Sequence, residues 1–167
     1  MVYQIKGGKM IKLIRIDYRL LHGQVVVGWL NKLGIDRIVI VDNKAGSSDS
    51  EKSILNIAKP SGAKMHVFTV EEALARKIKM SNLKENTALI FGNVPSAYEF
   101  LKELNVGNNT NEVNYGAIPK KEDSKEFDKA VFLNDEDIEC SRKLLDLGYK
   151  IFSQQTPSAA RKDLTNF

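Results

Sequence analysis

Ile35-Asp36-Arg37-Ile38-Val39-Ile40-Val41-Asp42-Asn43 is the stretch on which the fold turns. Ile38 to Val41 is an unbroken β-branched run, and Asp42-Asn43 closes it as a turn. A strand without polar alternation is buried on both faces, as strands of a parallel sheet are. Toward the N-terminus, Gly34 stops a helical pattern over Gly23–Leu33, in which Val26, Trp29, Leu30 and Leu33 recur at helical spacing. Ile11–Ile16 precedes it as a short strand. Toward the C-terminus the pattern alternates again. A helix over Ser48–Ala58 is stopped by Pro60 and Gly62, and Lys64–Thr69 is a strand. Val70–Met80 is a helix with Thr69 and Glu72 as its capping box. Asn86–Gly92 carries the buried strand Ala88-Leu89-Ile90-Phe91, and Ser96–Leu104 is a helix. Asn105–Val113 is a loop or short strand, and Lys120–Lys129 reads as an exposed charged loop. Ala130–Leu133 is a strand, Asn134 caps a helix to Leu147, and Tyr149–Ser153 is the last strand. The tail after Pro157 reads as a helical turn. Strands alternating with helices of about ten residues imply βαβ units. The fold expected is a single open, doubly wound α/β domain, its sheet mostly parallel with helices on both faces.

The bulk composition bounds the function. The 167 residues suit one domain. Residues 1–9, broken by Gly7-Gly8, read as an N-terminal extension or a cloning remnant, and 10–167 as the domain proper. No run of about 18 apolar residues suggests a membrane span, and no apolar core of a secretion signal follows the first lysines. A cytoplasmic location is the expectation. The single cysteine, Cys140, rules out an internal disulfide framework and a cysteine-based metal site. Two histidines are too few for a zinc site without a carboxylate cluster. Neither a metal nor a cofactor is expected. The net charge is +4 and the pI about 9.1. The lysines are dispersed among acids, as in Lys120-Lys121-Glu122-Asp123, which argues against nucleic acid and leaves room for an acidic protein partner. Dinucleotide and P-loop glycine motifs are missing, and no nucleophile elbow surrounds Ser48 or Ser50. His66 reads as a strand residue, Trp29 as core and Cys140 as an ordinary helix position.

In open α/β sheets, ligands bind beyond the carboxyl ends of strands near the point where strand order reverses. That rule points to the loops 17–24, 42–48, 92–95 and 105–112. The first holds Asp17, Arg19, His22, Gly23 and Gln24. A histidine just before a helix faces unpaired N–H groups and the positive end of the helix dipole. That setting favours a neutral, nucleophilic imidazole and offers donors to the oxygens of a phosphoryl group. Arg19 can add charge-assisted hydrogen bonds. Asp17 can orient either Arg19 or the imidazole, and Gly23 would let the backbone approach closely. From the residues alone, a capping or packing role for His22 stays open beside a chemical one.

The string Arg15-Ile16-Asp17-Tyr18-Arg19-Leu20-Leu21-His22-Gly23-Gln24-Val25 resembles the signature of IIB components of the bacterial phosphoenolpyruvate-dependent sugar phosphotransferase system, mannose–fructose–sorbose family. Ile38–Asn43, Leu104-Asn105-Val106-Gly107, Asp135-Glu136-Asp137 and Leu144–Tyr149 match further family segments in order. The resemblance implies that His22 takes a phosphoryl group on Nδ1 from a phosphohistidine of a IIA protein. It would pass that group to a sugar carried by the IIC and IID membrane subunits, with which the chain would associate peripherally. It carries over Asp17, Arg19, Gly23 and Gln24 to the site and adds Asp42, Asn105 and Gly107 as phosphate- or substrate-loop residues. His22 would then be an exposed relay rather than the base of a buried pocket. Two positions depart from the family pattern: Tyr18 stands where a second Asp is common, and Asn108-Asn109 follow Gly107 where a second Gly is common. The sugar and the oligomeric state are not written in the chain. The competing readings are a non-enzymatic regulator of the same fold that binds a phosphorylated partner or ligand, and a flavodoxin-like small-molecule binder.

Overall fold

The computed structural model describes residues 10–104, 107 and 109–167, without the side chains of 24 and 25. The expectation for residues 1–9 lies outside the described residues. The first half of the chain runs β1 (Ile11–Ile16), α1 (Gly23–Leu33), β2 (Arg37–Val41), a short α2 (Asn43–Gly46), α3 (Asp49–Ala58) and β3 (Lys64–Phe68). It continues with α4 (Val70–Ala75), α5 (Lys77–Ser81), β4 (Thr87–Phe91) and α6 (Val94–Leu101). β5 (Glu112–Tyr115), β6 (Lys125–Asp128), β7 (Val131–Leu133), α7 (Asp135–Asp146), β8 (Lys150–Ser153) and β9 (Lys162–Leu164) complete it.

Seven strands form one sheet in the order β3-β2-β4-β1-β5-β8-β9. β9 is antiparallel to β8, and the other pairings are parallel. The apolar runs behave as strands buried on both faces must. Val39, Val41, Leu89 and Phe91 pack on one side with Ala73, Ala97, Phe100 and Leu144. Ile38, Ile40, Ala88 and Ile90 pack on the other with Val26, Trp29, Leu30 and Leu55. Helix α1 therefore covers one face and α6 the opposite one. Because α1 follows β1 and α6 follows β4, and these strands are neighbours, the chain leaves the sheet in opposite directions there. That divergence opens the crevice at which doubly wound folds bind ligands.

The open, doubly wound α/β domain is the observed architecture, and several elements differ from the sequence reading. Lys120–Lys129 is not all loop: β6 pairs with β7 as an antiparallel hairpin. Phe127 anchors it, its ring stacked at 5.4 Å on Phe167. The chain after Pro157 makes a turn (Ala159 N–H donates to the Thr156 carbonyl at 3.0 Å) and then forms edge strand β9, held by buried Leu164. The helix expected over Val70–Met80 keeps its Thr69–Glu72 capping box but breaks at Arg76, where φ is −108° and ψ 6°.

Candidate active site

His22 is the N-cap of α1, in extended backbone (φ −136°, ψ 122°), exposed, and without a side-chain capping hydrogen bond. It sits where the chain leaves the carboxyl end of β1, the central strand of the crevice. The loop that carries it is tied down from below. Asp17 N–H donates to the Phe91 carbonyl, Tyr18 N–H to Ala117 and Leu20 N–H to Asp17, each at 2.9 Å. Leu20 and Leu21 are buried and anchor the loop in the α1 side of the core. Leu20 has φ +60° and Gly23 φ +43°. A leucine in the left-handed region costs on the order of 1 kcal/mol, and such strain persists only where the surroundings impose it. Space is open where a Gly23 Cβ would lie. Gly23 is therefore demanded by its backbone angle rather than by close approach.

Beneath the loop, Asp17 is fully buried between two guanidinium groups. Arg15 Nη2 donates to its Oδ2 at 3.0 Å. Arg19 grips both carboxylate oxygens, Nε to Oδ1 and Nη2 to Oδ2 at 2.9 Å each, and its own N–H donates to Oδ1 at 3.0 Å. Burial lifts the Asp17 carboxyl, but the hydrogen bonds from Arg19 and the charge of Arg15 more than reverse this, and it lies below the ordinary range. The same bonds raise Arg19, while burial pushes Arg15 down against the pull of Asp17. Arg15 is completely buried; its Nη1 donates to Asn114 Oδ1 and, at 3.2 Å, to the Gln154 carbonyl. Arg19 spends two guanidinium donors on Asp17, so three of its five have no partner among the described residues. Two cations on one carboxylate leave the cluster with a net positive charge next to the first-turn amides of α1. That arrangement suits an anion bound at His22.

Of the expected site residues, Asp17 and Arg19 are joined directly and Asp17 orients Arg19, while His22 and Gly23 follow in the same loop at the start of α1. No hydrogen bond from Asp17 to His22 is present among the described residues. Gln24 lies in the first turn of α1, its side chain outside the described residues. Asp42 ends β2 on the same edge of the sheet and caps α2, its Oδ1 accepting from Ala45 N–H at 2.8 Å. A Cβ on Gly92 would strike the Asp42 carboxylate and come within 3.4 Å of Leu20 Cδ2, so Asp42 and Leu20 both close on the bare backbone of Gly92. Gly107 is not brought to the site. Asn109, two residues on, accepts from Ile11 N–H at 2.9 Å, at the amino end of β1. A loop that leads from a helix into a strand lies at that end, opposite His22. Asn105 lies outside the described residues.

The sequence reading missed Arg15, Asn114 and Gly116 as supports of the site. A Cβ on Gly116 would lie 2.5 Å from Arg15 Nη2 and 2.7 Å from Asp17 Oδ2, so the pair is stacked on bare backbone. The available signal was Arg15 itself, a charge in the middle of an apolar strand, which has to find partners.

Fold and site together define a doubly wound α/β domain that presents, at its switch point, an exposed histidine in the loop that follows a buried arginine–aspartate pair and a second, partly exposed arginine. The sequence model described as PTS system sorbose subfamily IIB component matches residues 11–167, and the chain belongs to that family. The sorbose-specific EIIB component of Lacticaseibacillus casei is 31% identical over 142 residues, 85% of each chain. The fructose-specific EIIB component of Bacillus subtilis (strain 168) is 29% identical over 92% of each. The mannose-specific EIIAB component of Escherichia coli (strain K12) is 30% identical across 81% of this chain, which spans 41% of that protein. The crystal structure of the IIBSor domain of the sorbose permease from Klebsiella pneumoniae superposes with a TM-score of 0.82 at 28% identity, covering 92% of this chain and 93% of that one.

Proposed function

We propose that this IIB component carries a phosphoryl group on His22 Nδ1, received from a phosphohistidine of a IIA protein and delivered to a sugar moving through IIC and IID membrane subunits. The observation that carries the reading is the placement of His22: exposed, uncapped, at a helix N-terminus, beside an arginine whose orientation is fixed by a buried carboxylate. In the first step the P–N bond on the donor imidazole breaks as the bond to His22 forms. In the second, a sugar hydroxyl oxygen bonds to phosphorus as the P–N bond to His22 breaks, and the hydroxyl proton passes to the released imidazole. Catalysis of this kind is positioning plus stabilisation of charge on the transferring oxygens, the task to which Arg19 and the α1 amides are suited. Asp17 and Arg15 act by holding Arg19. The fused EIIAB relative supports a IIA partner. No described helix is long and apolar enough to cross a membrane, so the reading places the chain at the membrane only through its partners.

The test is reconstitution with phosphoenolpyruvate, the general phosphotransferase proteins and a IIA partner, followed by mass analysis of the His22 peptide. The expected result is an acid-labile gain of one phosphoryl group on that peptide, lost in His22→Ala. Label retained in His22→Ala, or no label on the wild type while IIA is charged, refutes the proposal.

A further inference from the structure

A second site lies two and three strands away from β1. On the face covered by α4 to α7, strands β2 and β3 and helix α5 enclose a cavity of about 360 Å³. Its floor is apolar: Val39, Phe68, Met80 and Leu83. Its rim is cationic: Arg37, His66, Arg76 and Lys79. The rim has a definite hydrogen-bond polarity. Arg37 Nη1 lies 2.6 Å from His66 Nε2. A guanidinium can only donate, so Nε2 is the acceptor, and His66 is a neutral ring with its proton on Nδ1. The His66 and Phe68 rings lie near-parallel, 6° apart in tilt with centroids at 5.8 Å.

Arg76 gives the site its shape. The break between α4 and α5 turns its guanidinium back over Phe68, 4.6 Å from the ring centroid, with one donor on the Glu72 carbonyl. A local departure from a strong helical pattern is where function is to be sought. The charges do not balance. Glu85 serves both Arg37 and Lys64, at 2.9 Å each. Among the described residues neither Arg76 nor Lys79 has a carboxylate partner. An apolar floor with a few convergent polar groups, in a volume of the order of 300–1,000 Å³, is the usual form of a small-molecule site.

We propose that this cavity binds a small organic anion with a flat apolar body, its body against Val39, Met80 and Leu83 beside the Arg76-covered Phe68 ring and its anionic group between Arg76 and Lys79. Purine mononucleotides and aromatic carboxylates share that chemistry. The test titrates the full chain, labelled at the methionine methyls and the backbone amides, with AMP and separately with salicylate. Adenosine and inorganic phosphate serve as controls. Saturable shifts of the Met80 methyl and of the Val39 and Phe68 amides with one of the two anions are expected, and the anion that binds identifies the source. Adenosine or phosphate alone should bind at least about tenfold more weakly, since each lacks half of the contact set. The double variant Arg76→Ala, Lys79→Ala should also lose at least about tenfold in affinity, and Lys79→Ala alone, which keeps the Arg76 contacts with Phe68 and Glu72, should weaken binding in the same direction, while the labelling of His22 stays as in the wild type. No saturable shift with either anion up to about 10 mM, a concentration that saturates sites of roughly millimolar affinity, overturns the proposal. So does binding that the double variant leaves unchanged.

Discussion

Asp17→Asn tests the support beneath the site most directly. The substitution keeps the size of the side chain and removes its charge. Arg15 has no exposed surface, its carboxylate partner is Asp17 at 3.0 Å, and a guanidinium does not shed its proton. The variant therefore leaves a buried cation facing only neutral oxygens, those of Asn114, the Gln154 carbonyl and the amide that replaces the carboxylate. Breaking a buried pair in this way costs about 3–5 kcal/mol, and for a domain of this size each kcal/mol moves the thermal midpoint by about 2–4 °C. The expected loss is thus roughly 6–20 °C. Arg15→Met combined with Asp17→Asn removes both buried charges and should be more stable than Asp17→Asn alone by about 1–3 kcal/mol. The pH dependence has a fixed sign. The Asp17 carboxyl lies below its ordinary range in the folded protein. Its contribution is therefore fully present at neutral pH and is lost as pH falls from about 4 through the lower folded value. Asp17→Asn should flatten that acid limb. Urea denaturation followed by circular dichroism, across pH 3 to 7, reads all of this, with a constant slope required for comparison. A loss below about 1 kcal/mol in Asp17→Asn, or a double variant no better than the single, would refute the reasoning.

Gly116→Ala places a methyl group against Arg15 and Asp17; thermal melts should show a loss of about 1–3 kcal/mol, and labelling of His22 should slow. Arg19→Met removes the partly exposed cation (26% exposed) and should slow phosphoryl transfer to His22 by roughly 100-fold or more, read in single-turnover quench experiments. Arg19→Lys should recover little of this, because an ammonium cannot reproduce the two-point grip on Asp17. His22→Ser should abolish labelling yet stabilise the fold by about 0.5–1 kcal/mol, since serine supplies the helix cap that His22 lacks; a melting midpoint below the wild type would count against this account of α1.

The parts of the fold that were legible in the sequence are those where one strong pattern decides. Ile38–Val41 and Ala88–Phe91 could only be doubly buried strands, and Gly34 and Gly148 both stop helices from left-handed backbone. What escaped is set by tertiary contact. β6 and β9 are short, charged and lie at edges, where pairing partners rather than propensity make a strand. The break at Arg76 accompanies the seating of its guanidinium over Phe68 on the preceding strand, a contact that no local pattern announces. At the site, the local string disclosed His22, Asp17 and Arg19 because they are close in sequence. Asn114, Gly116 and the Gln154 carbonyl act from far along the chain, 99 residues from Arg15 for Asn114 and 139 for Gln154, and carry no motif of their own. Gly107 was misplaced for a topological reason, since its loop precedes a strand and so lies at the sheet's amino edge.

A phosphoryl relay faces opposing demands. Its histidine must be exposed enough to meet first one partner and then another, yet the group that stabilises the transferring oxygens must not wander. On the function proposed above, this chain answers by separating the two in depth. Among the described residues the His22 imidazole takes no hydrogen bond that would have to be broken, and it leaves the α1 amides without the side-chain cap that most helices use. The stability given up at the surface is offset below it. Asp17 locks Arg19 at two points, Arg15 locks Asp17, and bare backbone at Gly116 lets the pair fit. Rigidity is thereby supplied to Arg19 from a cluster that water does not reach, where charge-assisted bonds are strongest. The same division sets Tyr18, 54% exposed beside Arg19, apart from Asp17. Tyr18 faces solvent, and Asp17 faces only the protein itself.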